Sequence, residues 1–466
     1  MDKTRNLVRT FGVGYVIMFV VANIIGSGVY KKIAPMAAEL HSMEWILLAW
    51  VAGGIITLFG ALSNAEVAGL LADTGGDFVY FKKIYNRFFA FLYGWSLVAV
   101  IQTATIASLA YVFTQSLNSI VPIPHIFQSL DGFSVGGVFT PFHDFGIKLT
   151  AITLIMLLTW LNMSSLKSGA GTSKIIMILV ATGLLTIIVF GLTSHVDRPV
   201  EVMTAGTVTN GAVTLSAFFA AMLAAFWAYQ GWASVGFIGG EIKEANRSIP
   251  KGIVIGVFIV IGVYLLVNFT YLKVLSVQQL EAIHAAGNKI AAIEAVRAFW
   301  GKGGVLFISV LILITTLGCT NASVLTGARP TYAMAREGLF FPGIAKLNKA
   351  NVPANSLLLQ GIWSSVLVLS GSFDQLTDML IFAVFIFYGA TSLGVIILRR
   401  RMPDAHRPYK VWGYPVVPVF YILFCIALFV NTIVTKPREA AIGLILIAAG
   451  IPVYMYLQRK TSKQKE

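Results

Sequence analysis

VIMFVVANIIGSGVYKKIAPM, residues 16–36, is apolar enough to lie inside a membrane, yet its centre holds three residues that a helix tolerates poorly. Glycine in a helix interior costs about 1 kcal/mol relative to alanine, so Gly26-Ser27-Gly28 invites the backbone to open. An open turn at that depth bares amide N–H groups at the start of one half-helix and carbonyls at the end of the other. Such groups are tolerated there only where they line a cavity. Taken alone, the trio fits a close helix–helix contact through small residues equally well.

The rest of the chain sets this stretch in its medium. Hydrophobic residues make up 57% of the 466 residues and charged ones 12%, with a mean hydropathy of +0.81. A soluble domain carries about 25% charged residues, so there are too few charges here to coat a globule of this size with water. The net charge of +14 raises the question of nucleic acid. The basic residues cluster in short segments between apolar runs, however, which is a membrane pattern. A bilayer-spanning helix needs about 20 apolar residues. Runs of that kind fall near 12–38, 43–71, 88–118, 146–163, 169–193, 213–241, 251–276, 303–328, 355–372, 376–398, 414–435 and 439–458. The reading is an all-α membrane protein with twelve transmembrane helices, because the runs are continuously apolar rather than alternating as in a barrel. The polar start, MDKTRNLVRT, leads into a run too long for a signal sequence and reads as the prelude to a retained first span.

Orientation follows from the loops. Of the 34 Lys and Arg residues, 23 fall on the side that holds both termini, among them Lys82, Lys83, Lys243, Arg247, Arg329, Arg336 and Arg399–Arg401. Positive charge stays on the cytoplasmic side, so both termini are expected there, as an even number of spans also requires.

The sixth run, AAFWAYQGWASVGFIGGEI (224–242), is interrupted as well, at Tyr229-Gln230-Gly231. Paired interruptions in the first spans of two five-span halves point to an inverted repeat with its site where the breaks meet. The halves are then residues 12–193 and 213–398, followed by an appendage at 414–458. Amide ends suit a carboxylate, and carbonyl ends suit an ammonium. A zwitterionic amino acid presents both groups from one carbon.

Other chemistry is sparse. Cys319 and Cys425 lie inside apolar runs without metal-ligand spacing, and His125, His143, His195 and His284 fall in loops and read as solvated surface residues. No metal and no cofactor is expected, and no nucleophile–base pair suggests an enzyme. No acidic residue falls beside the breaks, which favours a neutral substrate. Lys31 and Lys32, in the far half of span one, fit either an aqueous vestibule or snorkelling to the headgroups.

These motifs resemble the amino acid–polyamine–organocation superfamily, in particular its L-type amino acid transporter branch. IIGSGVY (24–30) is similar to that family's span-one motif, and ALSNAEVAGLLADTGGDFVYF (61–81) to its span-two motif. AYQGW (228–232) is similar to the branch's AYGGW, and GCTNASVLTGARPTYAMAREGLFFPGIAKLNKANVPANSL (318–357) to the segment leaving span eight. The resemblance implies a LeuT-type fold of five plus five inverted spans followed by two more. It implies that the amides of Gly26, Ser27 and Gly28 receive the substrate carboxylate. The carbonyl of Ile24 and those around Trp227, Ala228, Tyr229 and Gln230 would then hold the ammonium. Trp227 stands where the branch has a gating phenylalanine, and Gln230 replaces a glycine, so its amide reaches the substrate or narrows the pocket. Trp232 packs behind the break or joins the site. The branch also carries a lysine in span five in place of a sodium ion, a role that falls to Lys174. Otherwise Thr316 and Thr320 of span eight would join span-one carbonyls around sodium. Glu66 takes an inner-gate or packing role. The loop 119–145 has no cysteine, so a stand-alone protein of the bacterial inner membrane, without a disulfide-linked heavy subunit, is expected. The implied function is alternating-access transport of neutral L-amino acids, by exchange. Sodium- or proton-coupled symport is the alternative, and a non-transporting receptor the more distant one.

Overall fold

Side-chain caps set where several helices begin. A computed structural model describes residues 11–71, 76–135, 139–164, 170–194 and 213–463, the side chains of 170–175, 237, 238, 240 and 460–463 excepted. Ser42 accepts the Trp45 amide at 3.5 Å to open α4 (Met43–Leu70), and Asn86 accepts that of Phe89 at 2.8 Å to open α6 (Arg87–Ser96). Reciprocal capping boxes, Ser276 with Gln279 and Ser372 with Gln375, start α12 (Val277–Ala286) and α15 (Phe373–Arg401). Each satisfies helix-start amides that have no partner within the helix. The run Arg399–Arg401 closes α15 against the negative end of its dipole.

Among the described residues the chain is helical and has no strand. Among the described residues nine helices are long and apolar enough to cross a bilayer, and two shorter apolar ones, Val13–Ile24 and Ala354–Ser370, accompany them. Large apolar side chains point outward: Trp160 is 62% exposed, Phe258 64% and Val434 72%. Exposed apolar surface on this scale would aggregate in water and suits lipid. The protein is a multi-pass, all-α membrane protein.

Several of the runs differ in detail from the sequence reading. The first splits into α1 (Val13–Ile24), α2 (Gly28–Lys31) and α3 (Ile33–Leu40). The step at Lys32 has a local cause, since Pro35 has no N–H to give the Lys31 carbonyl. The third run joins α6 to α7 (Gln102–Asn118) through a π-helical stretch, Leu97–Ile101. The sixth is α10 (Leu215–Tyr229) followed by a 3₁₀ stretch, Trp232–Glu241, not a second α-helix. The eighth starts earlier than the apolar run: α13 (Ala291–Arg336) contains a reversal at Gly301 (φ 62°) that separates a short preceding helix from the long one. The remaining helices are α5 (Asp77–Ile84), α8 (Phe145–Ser164), α9 (Ala170–Thr193), α11 (Ala245–Val274), α14 (Ala354–Ser370), α16 (Val416–Thr435), α17 (Pro437–Ala448) and α18 (Gly450–Lys463). Helix α11 packs along α1, α4 and the 3₁₀ stretch Trp232–Glu241, and so runs behind both breaks.

Candidate functional site

The two interrupted helices meet at their interruptions, and a glycine makes each contact. α1 ends at Ile24 and α2 resumes at Gly28. α10 ends at Tyr229, and Gly231 (φ 121°) turns the chain into the 3₁₀ stretch. A Cβ on Gly28 would lie 2.4 Å from the Ala228 Cα, and one on Gly231 would lie 2.4 Å from the Asn23 carbonyl oxygen. Each break therefore rests on the backbone of the other. At Gly231 the positive φ also excludes ordinary side chains. Gly26 differs: a Cβ there would meet Leu109 at 3.7 Å, Cys319 at 3.8 Å and the Ile24 carbonyl oxygen at 4.0 Å, all ordinary contacts, and the residue borders open space.

That space is a cavity of about 180 Å³. Ile24 through Gly28 form one wall, with Trp227, Gln230 and Gly231 beside them, Gln102, Thr105 and Leu109 from α7 opposite, and Thr315, Cys319 and Ser323 from α13. The lining continues to Tyr15 and Met18 near the start of α1 and to Thr326 further along α13. The cavity thus extends toward the face where α1 begins. Among the described residues, none that lines it is charged.

Trp227 is a buried part of this lining. Its indole N–H donates to the Ser27 hydroxyl at 3.2 Å, and its ring meets Phe373 edge-on at 5.9 Å. Gln230 lines the cavity and accepts a hydrogen bond from Tyr388 at 2.9 Å. Trp232 is buried behind the break, its ring 4.7 Å from that of Tyr388.

Several residues singled out in the sequence stand elsewhere. Tyr229 turns its ring away from the cavity, donating to the Trp50 carbonyl at 3.2 Å and packing on Trp50 and Tyr264. Ala228 contributes no cavity lining. Its carbonyl and that of Ile24 both lie 2.9 Å from one hydroxyl, Tyr264 on α11, and share its single hydrogen. Thr316 and Thr320 are buried and bonded back to their own helix, at the Ile312 and Thr316 carbonyls. The α13 side chain that faces span-one carbonyls is Cys319, 3.7 Å from the Ile25 oxygen. Lys174 belongs to α9, but its side chain lies outside the described residues.

Lys31 and Lys32 fit neither of the two places expected for them. Both are buried, because polar partners meet them inside the protein. Lys31 donates to Gln115 and Lys32 to Asp374 and Thr377, each at 2.6 Å. His284 is half-buried rather than solvated, 3.9 Å from Asp374, and burial pushes its imidazole below its ordinary pKa. Glu66 is gripped on the face where α1 begins. Arg399 binds it with two hydrogen bonds of 2.8 and 2.7 Å, the Val411 amide donates at 2.7 Å, and Arg407 stands 3.3 Å away.

Tyr264, Phe373 and Tyr388 escaped the sequence reading because one ring does not stand out among 32 Phe and 16 Tyr. A usable signal was the tyrosine in mid-span, since a buried phenol needs a partner. Tyr264 supplies the only donor seen here to two break carbonyls among the described contacts. Tyr264→Phe leaves both carbonyls without it, which costs about 1–3 kcal/mol. The thermal midpoint of the purified protein is expected to fall, whereas a Tyr264 that merely fills space predicts an unchanged midpoint.

Comparison with known proteins gives the geometry a lineage. The serine/threonine exchanger SteT of Bacillus subtilis (strain 168) is 29% identical over 462 residues, covering 98% of this chain and 99% of the relative. The b(0,+)-type amino acid transporter 1 of Mus musculus is 27% identical over 458 residues, 97% of this chain and 88% of its own length. The large neutral amino acids transporter small subunit 2 of Mus musculus is 28% identical over 475 residues, 99% and 82% respectively. These relatives are transporters and not enzymes. The family model for amino acid permeases matches residues 11–455, and the chain belongs to that family.

Proposed function

We propose that this protein moves neutral L-amino acids across a bacterial inner membrane by alternating access, exchanging one for another. The substrate lies at the crossing of the two broken helices, its carboxylate on the amides of Gly26, Ser27 and Gly28. Its ammonium lies toward the carbonyl of Ile24, which has a second lone pair besides the one Tyr264 engages. Trp227 covers the substrate from the outer side, and Gln230 bounds the side-chain space. Tyr229 is left supporting the crossing through Trp50 and Tyr264.

The observation that carries this reading is the cavity at the crossing, walled by the Ile24–Gly28 break and with no charged residue in its described lining. A cationic or anionic substrate side chain would need an opposite charge there. The relatives' printed functions, exchange of serine and threonine and transport of neutral amino acids, agree with an uncharged pocket. The architecture that fits is twelve spans, five plus five inverted followed by two, in units 12–193, 213–398 and 414–458, with both termini cytoplasmic. The cavity then faces the cytoplasm. Lys174 is the residue proposed for the span-five lysine role.

Proteoliposomes test exchange against coupling to an ion. Internal unlabelled serine, threonine or leucine should accelerate uptake of the same labelled amino acid with no ion gradient present. Uptake indifferent to internal amino acid but driven by a sodium or proton gradient would replace exchange with symport.

A further inference from the structure

Above Trp227 the way to the cavity is closed by a compact group from four segments. Phe373 opens α15 and packs on Trp227. The ammonium groups of Lys31 and Lys32 lie 4.7 and 4.6 Å from the Phe373 ring centre. Lys32 is held by Asp374 and Thr377, one and four residues further along α15. Lys31 is held by Gln115 of α7, whose amide in turn donates to the Gly287 carbonyl between α12 and α13 at 3.2 Å. A continuous column thus runs from Ser27 through Trp227 and Phe373 to the two lysines and Asp374. Both lysine side chains are nearly inaccessible, Lys32 at 0% and Lys31 at 5%.

We propose that Lys31, Lys32, Phe373 and Asp374 form an electrostatic latch that holds the path from the 119–145 loop face shut, and that the latch must part for a substrate to enter from that face. This rests on the transport reading above. The lysines follow directly on the α1–α2 break, whereas Phe373, Asp374 and Thr377 belong to α15. Opening that path separates α2 and α3 from the start of α15. Lys32 is buried while the Asp374 side chain is 28% exposed, so a partial separation strips the buried ammonium of its partner before water reaches it. Once parted fully the two ions are hydrated, and an exposed pair is worth little. The latch therefore favours two states, dry and paired or wet and apart, over anything between. The same separation uncovers the face of Phe373 and frees Trp227 to leave Ser27. Thr377 adds a hydrogen bond accepted from the Lys32 ammonium in the closed state only.

Cys319 lines the cavity beneath this column, and the chain has one other cysteine, Cys425, which is buried. With Cys425→Ser as the background, the rate at which a membrane-impermeant maleimide labels Cys319 from the loop face reads the latch without requiring transport. Ser129→Cys, in the exposed loop, identifies that face in intact cells and in inverted vesicles. An inverted orientation, which contradicts the transport reading, is thereby told apart from a latch that does not hold. Labelling of the parent from the loop face should be slow. Lys32→Gln and Asp374→Asn should each speed it roughly tenfold or more, and the double swap Lys32→Asp with Asp374→Lys should return it toward the parent rate. Thr377→Val removes one hydrogen bond and no charge, so it should speed labelling roughly two- to threefold. It carries the test if the charge variants fail to fold. Equal labelling rates in the parent and the folded variants would overturn the latch.

Discussion

Gly28→Ala is expected to reduce amino-acid uptake to background and lower the thermal midpoint, whereas Gly26→Ala leaves a folded protein that still transports. The two glycines are one residue apart, but their surroundings differ. At Gly28 the added methyl would lie 2.4 Å from the Ala228 Cα and 2.6 Å from its Cβ. Both obstacles sit at the backbone of α10, so the crossing itself must widen. Overpacking of this kind costs about 1–3 kcal/mol, and the displacement falls on the groups proposed to hold the substrate. At Gly26 the methyl meets the ends of Leu109 and Cys319 at ordinary distance. It takes space from the cavity, so apparent affinity should fall by less than about tenfold, near the value of one buried methyl. Uptake in proteoliposomes and a thermal scan of both variants measure this. Equal behaviour of the two would mean that the breaks do not bear on each other at Gly28.

Glu66→Ala is the second large effect. The carboxylate is 3% exposed and satisfies Arg399 twice, the Val411 amide once, and the nearby Arg407 by charge. It ties α4 to the end of α15 and to the segment that follows. Removing the acid takes the charge partner from the Arg407 Nε, on a side chain 5% exposed whose other nitrogens keep backbone carbonyls, and breaks the two bonds to Arg399. Loss of one partner from a buried ion pair costs about 3–5 kcal/mol. The purified variant should unfold at a clearly lower temperature than the parent, and Glu66→Gln, which keeps the shape and some hydrogen bonding, should fall between them. An unchanged midpoint for Glu66→Ala would show that the arginines find other acceptors.

Which parts of this were legible in the sequence follows from the physics that wrote each. The apolar runs are legible because lipid demands them along their whole length, and the breaks because glycine and polar residues are out of place at that depth. Gly26-Ser27-Gly28 and Gln230-Gly231 stand at the interruptions of α1–α2 and α10. The division of labour within the first trio was not legible. Only the neighbour's backbone, Ala228, shows that Gly28 is the residue in contact while Gly26 faces space. Lys31 and Lys32 were ambiguous for a related reason. Their partners Gln115 and Asp374 lie 84 and 342 residues away along the chain, and no local pattern joins them. The direction of Tyr229 depends on one residue of helical phase at a helix end, which sequence does not fix. Thr316 and Thr320 return their hydroxyls to their own helix, an option open to any helical threonine.

The central claim is that Ser27 and its neighbouring amides seat the carboxylate of a transported amino acid. Ser27 is 1% exposed and bonded to Trp227, so Ser27→Leu both blocks that seat and displaces the indole. The decisive measurement is exchange of labelled neutral amino acid into preloaded proteoliposomes by the parent and by Ser27→Leu, at equal amounts of inserted, monodisperse protein. The parent should exchange, and the variant should show none above protein-free liposomes. Exchange by Ser27→Leu at the parent's rate would contradict the claim.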